Sequence, residues 1–165
     1  MPVVLARIDD RLIHGQVTAG WAPQLQPTRI ILANNAIATD SWQSRVYASS
    51  VPPGIEVSIL SIAGAASLLA SRESAGERSI LLTGSAGEMA ELVRLGAPLV
   101  CINLGGVHFS PGKVEMLPWV YLDSQDLVAL RRLLEMGVEL SAQQVPGGRE
   151  VSIDSGNLLE LEEKF

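Results

Sequence analysis

The chain has 165 residues, 47% of them hydrophobic, enough for one domain with a sizeable core. Its formal net charge of −6 offers no basic face, which argues against a duplex nucleic acid or an anionic membrane surface as partner. The one cysteine, Cys101, cannot form an internal disulfide, and no spacing of ligating residues marks a metal site.

In chain order, short β-rich runs alternate with longer helical ones. VVLARI reads as a first strand, and GQVTAGWAPQL as a helix with Val17 and Trp21 on one face. RIILA is a second strand. Asp40 then caps a helix carrying Trp42, Val46 and Tyr47, stopped by Pro52-Pro53-Gly54. IEVSIL is a third strand. Ser61 opens an alanine- and leucine-rich helix that fades from Ser74 to Gly76. SILL is a fourth strand. Ser85 with Glu88 has the spacing of a capping box, and Gly96 closes the helix behind it. PLVCINL is a fifth strand, in which Cys101 is expected as a small buried side chain. GGVHFSPGKVEML reads as a long loop or hairpin, and WVYL as a further strand. Asp123 caps a helix with Leu127, Leu130 and Leu134 on one stripe, ended by Gly137, and VELSAQQV is a last strand. The tail after about Pro146 has no assigned place. Trp21, Trp42 and Trp119 are expected in the core or against a partner.

This alternation predicts an α/β fold: a single domain over residues 1–165, a mainly parallel central sheet with helices on both faces, and a last strand free to run antiparallel. No apolar run reaches the roughly 18 residues of a membrane span. The start MPVVLARIDD lacks the features of a signal peptide, so a cytoplasmic protein without membrane insertion is expected.

Ligands of such sheets bind beyond the carboxyl ends of the strands. Asp9, Asp10, Arg11 and His14 follow the first strand, Asn34 and Asn35 the second, Thr83, Gly84 and Ser85 the fourth, and Asn103, Gly105, Gly106 and His108 the fifth. His14 precedes a helix start at Gly15 and Gln16, where free N–H groups attract an anion and the dipole disfavours imidazolium. A neutral imidazole flanked by Arg7 and Arg11 is a plausible acceptor of a phosphoryl group, and Asp10 is placed to orient the ring. His108 reads either as a second contact to phosphate or sugar or as a loop-stabilising side chain. Thr83 and Ser85 read either as phosphate contacts or as helix capping, and Lys113 as a phosphate contact or a solvated lysine. No G-x-x-x-x-G-K-[ST], strand-linked G-x-G-x-x-G or G-x-S-x-G occurs, which argues against direct use of ATP, a dinucleotide cofactor and a hydrolase elbow. No cofactor is expected.

The run RIDDRLIHGQV followed by Trp21 resembles the start of the enzyme IIB subunits of the mannose/fructose/sorbose family of the bacterial sugar phosphotransferase system. VPPGIEV, INLGGVHFSPGK and LPWVYLDSQDLVALRRLLEMGVELSAQQVP resemble further parts of that family, up to about Pro146, with the tail read as an extension. The resemblance implies that His14 takes a phosphoryl group from a phosphohistidine of a IIA protein, expected as a separate chain. It further implies delivery to a sugar during uptake through the membrane subunits IIC and IID, which would hold the protein peripherally at the inner membrane face. It assigns Arg7 and Arg11 to phosphate stabilisation and Asp10 to positioning. The alternative is a phosphorylatable regulatory or binding module of the same fold, without sugar transport.

Overall fold

The computed structural model describes residues 2–71 and 76–165. Seven strands form one sheet in the order β3-β2-β4-β1-β5-β8-β9: β1 (Val3–Ile8), β2 (Arg29–Ala33), β3 (Glu56–Leu60), β4 (Ser79–Thr83), β5 (Cys101–Leu104), β8 (Glu139–Ala142) and β9 (Val151–Ile153). A separate antiparallel hairpin pairs β6 (Val114–Leu117) with β7 (Val120–Leu122), inside the stretch expected as a loop or hairpin. The last strand expected, 138–145, supplies β8, which runs parallel to β5. The antiparallel strand is β9, drawn from the tail.

Strands buried on both faces read as continuous apolar runs. Along β2, Ile31 and Ala33 enter one core, while Ile30 and Leu32 enter the other. The first core packs under α4 (Ile62–Ala70), α5 (Ala86–Arg94), α6 (Ser124–Glu135) and α7 (Ser155–Glu162). The second packs under a π-helical segment Gln16–Trp21 continuing into α1 (Ala22–Leu25), with α2 (Asn35–Ala38) and α3 (Ser41–Ser49) beside it. The expected fading of α4 around Ser74 lies outside the described residues; α4 ends at Ala70. The caps fall as the sequence requires: Asp40 accepts from Trp42 and Gln43, and Asp123 and Asp126 form a capping box. Gly96 and Gly137 follow their helices with φ of 99° and 83°.

One burial expectation fails. Cys101 is exposed rather than buried. It opens β5 on the sheet face where helical cover thins to Trp21, at a groove of about 420 Å³ shared with Leu5, Asn103 and Ser141. Of the core-or-partner alternatives for Trp42, the core is excluded: it is 71% exposed, because α3 touches the sheet side through Tyr47 and buries none of its residues fully.

Candidate active site at the carboxyl end of the central strand

Strand β1 lies between β4 and β5, and its end is held from both sides. The Asp9 N–H donates to the Thr83 carbonyl at 2.9 Å and the Asp10 N–H to the Gly106 carbonyl at 2.9 Å. The chain then turns through Leu12, whose φ of 61° is left-handed, a costly conformation for a leucine. The side chain of Leu12 is buried, which holds the turn in place. This turn aims the Leu12 carbonyl at the His14 ring, 2.8 Å from Nδ1. A carbonyl only accepts, so Nδ1 carries a hydrogen. The His14 carbonyl takes the Val17 and Thr18 N–H groups and starts the helix. Its π character has a local cause: Pro23 cannot donate to the ladder and its ring crowds the preceding turn, so the Ala22 N–H reaches Val17 instead.

The expectation that Asp10 orients His14 is corrected by this geometry. The carboxylate beside the ring is instead Asp9, whose Oδ2 lies 3.7 Å from His14 Nε2 without a hydrogen bond. The side chain of Asp9 is fully buried, and it accepts from Arg11 Nε at 3.1 Å, Arg11 Nη2 at 3.1 Å and the Gly106 N–H at 3.0 Å. Burial alone would raise its pKa, but the Arg11 guanidinium and the Gly106 N–H outweigh that and hold the carboxyl below its ordinary range. Period two of a strand sets Arg7 and Asp9 on one side, the signal by which sequence reasoning could have found the pair. Asp10 instead turns to His108, accepting from its backbone N–H at 2.7 Å and its Nδ1 at 2.6 Å.

Arg7, expected to stabilise phosphate, does not reach solvent, so any such effect acts from the interior. Its side chain is fully buried. It donates to Asn103 Oδ1 at 2.6 Å and to the Gln143 and Gln144 carbonyls at 2.8 and 2.9 Å, lies 3.3 Å from Asp9, and packs over Trp21. Burial lowers its pKa, Asp9 opposes that, and it remains cationic. Arg11 is the available guanidinium: its side chain is 32% exposed, with Nη2 also donating to Gln16 Oε1 at 2.6 Å. Gly105 and Gly106 make this possible. A Cβ would stand 2.3 Å from Arg7 Cζ at the first and 2.8 Å from Arg11 Nη2 at the second. The close approach is therefore by the arginines.

The remaining candidates have structural work. The Thr83 hydroxyl is buried and donates to the Ser85 carbonyl. Ser85 caps α5, accepting from the Glu88 N–H. The Glu88 carboxylate takes the Ser85 hydroxyl, the Gly84 N–H and Asn34 Nδ2, while burial holds its pKa up. Asn35 accepts from the Ile62 N–H. Lys113 is bound to Asp126 at 3.3 Å rather than solvated. Gly15 faces open space: an added Cβ would meet nothing within 4 Å. His14 itself is 16% exposed at its side chain, with Nε2 buried and without a hydrogen-bond partner. The site thus gathers His14, Asp9, Arg11 and Gln16 at the strand end, with Asp10 and His108 beside them. It can hold an imidazole over a fixed carboxylate and place one guanidinium against incoming negative charge.

Comparison with known proteins gives a concordant picture. Residues 3–164 match the family model described as PTS system sorbose subfamily IIB component. The sorbose-specific EIIB component of Klebsiella pneumoniae is 34% identical over 153 residues, 93% of each chain. The mannose-specific EIIAB component of Escherichia coli strain K12 is 33% identical over 145 residues, 88% of this chain and 45% of that one. The crystal structure of the IIB domain of the Klebsiella pneumoniae sorbose permease superposes with a TM-score of 0.87 at 32% identity, covering 99% of this chain and 98% of that one. The match through residue 164 corrects the reading of the tail as an extension: β9 and α7 are part of the shared fold.

Proposed function

Because the chain belongs to the sorbose-subfamily IIB components of the sugar phosphotransferase system, we propose that it is a phosphoryl carrier whose acceptor is His14. The observation that carries this reading is the strand-end loop. One imidazole stands at the mouth of the parallel sheet, 3.7 Å from a buried carboxylate, with the partly exposed Arg11 gripping the same carboxylate. In the conformer described, Nδ1 is tied to Leu12 and Nε2 is buried, so the ring turns to present a nitrogen to its donor. Phosphoryl transfer then needs in-line approach and charge stabilisation more than new covalent machinery. Arg11 offsets the charge of the arriving group, and the helix-start amides at Gly15 and Gln16 add to it. Asp9 positions the ring and Arg11, while Arg7 acts from the interior by fixing Asp9.

The donor is a phospho-IIA protein, and the acceptor is a sugar taken up through IIC and IID membrane subunits, with the protein working in the cytoplasm. The support is family membership and a relative that is an EIIAB component. No helix among the described residues is long and apolar enough to cross a membrane, which fits a part that relies on separate membrane subunits. The test is incubation with the general phosphotransferase proteins and a labelled phosphoryl donor. One acid-labile, alkali-stable phosphate per chain is expected, and its absence from the wild-type protein refutes the carrier reading.

A further inference from the structure

Asp9 and Asp10 are consecutive, yet each faces a different imidazole. Asp9 faces His14, and Asp10 seats His108. The seat is two-point. One carboxylate oxygen takes the His108 backbone N–H at 2.7 Å, and the other takes Nδ1 at 2.6 Å. A carboxylate accepts, so Nδ1 carries the hydrogen and, in the neutral ring, the lone pair is on Nε2. Unlike that of His14, the His108 side chain is largely exposed, at 64%. Its loop is bound to the phosphorylation loop at two more points, Gly106 N–H to Asp9 and Asp10 N–H to the Gly106 carbonyl. Next along that loop, Phe109 is 65% exposed and stands edge-on to Tyr121, 5.8 Å between centroids, leaving an aromatic face open beside His108. Pinning the loop uses only the backbone N–H and Nδ1 and leaves Nε2 uncommitted.

We propose that His108, held by Asp10, is the proton acceptor for the hydroxyl group that removes the phosphoryl from His14. The proposal rests on the carrier reading of His14. The acceptor oxygen forms the new O–P bond. The P–N bond to His14 breaks and its electron pair returns to the ring nitrogen, while the second nitrogen keeps its proton, so His14 leaves neutral. The hydroxyl proton passes to His108 Nε2 and then to solvent. Asp10 keeps Nδ1–H in place and stabilises the imidazolium that forms. Sugar is the acceptor during turnover, and water takes the same position in the isolated protein.

Water is therefore the probe. Labelled phospho-protein, freed of its donors, is followed as it loses phosphate at neutral pH. A positioned base contributes about 10²–10⁴ in rate, so His108→Gln is expected to slow the loss about 10²-fold. Asp10→Asn slows it less. Free imidazole restores a measurable part of the rate to His108→Ala. His108 is exposed, so these variants fold, and the decay constant does not depend on the initial extent of labelling. Decay of His108→Gln within threefold of wild type overturns the proposal, as does failure of imidazole to rescue. A wild-type protein that takes no label at all overturns the carrier reading instead, so the two failures are distinct.

Discussion

An added Cβ at Gly105 would stand 2.3 Å from Arg7 Cζ, inside a guanidinium fixed by Asn103 and two carbonyls. Neither side can yield, so Gly105→Ala is expected to cost about 3 kcal/mol, the upper end of ordinary overpacking, read from the urea midpoint. Alanine at Gly15, which faces open space, should cost far less. Arg11→Ala removes the one site guanidinium that reaches solvent, and loss of such a donor typically costs about 10²–10³ in rate. The rate of His14 labelling by the donor protein checks it, and an unchanged rate removes Arg11 from the reaction. At this scale the sequence exposed the residues better than their roles. RIDDRLIHGQV located the site, but nothing in the run of letters distinguishes two adjacent aspartates. Their division between His14 and His108 depends on the left-handed turn at Leu12 and on where the β5 loop returns. Both are tertiary facts.

Elements were legible where local chemistry decides them. Caps at Asp40, Ser61, Ser85 and Asp123 and stops at Gly96 and Gly137 follow from side chains reaching free N–H groups and from glycine's tolerance of positive φ. The π turn before Pro23 was hidden because the apolar spacing of Val17 and Trp21 is also that of an ordinary helix. Helix α7 was hidden because its own pattern is weak. Its value comes from packing: Leu158 and Leu161 are buried in the core beside Ile153, and Glu162 pairs with Arg131 of α6. Leu158→Ala is therefore expected to cost about 2–5 kcal/mol, as for other buried leucines. Leu159→Ala, at a side chain 56% exposed, should lie within about 0.5 kcal/mol of wild type. Equal effects from the two would mean that α7 is not docked as described.

For the whole molecule, the parallel sheet was readable from alternation alone, and with it the edge that carries the site. The antiparallel edge strand β9 was not, since three residues carry too little pattern. The Arg7–Asp9–Arg11 cluster, buried at Arg7 and Asp9, ties β1, β5 and the 143–144 carbonyls together, so its ionisation bears on global stability. The Asp9 pKa is depressed in the folded state. Its contribution is thus present above the unfolded value of about 4 and is lost as pH falls through the folded one. Asp9→Asn should flatten that part of the acid limb of stability while lowering stability near neutrality by about 3–5 kcal/mol, the cost of leaving buried charge unpaired. Denaturant midpoints from pH 3 to 7 test both.

The central claim, that one imidazole of the two in the chain carries the phosphoryl group, is tested most directly by intact-protein mass after exposure to the phosphorylated donor chain. Wild type and His108→Ala are expected to gain one phosphoryl group, lost in acid and kept in alkali, while His14→Ala gains none. A His14→Ala protein that gains it to the same extent would contradict the account.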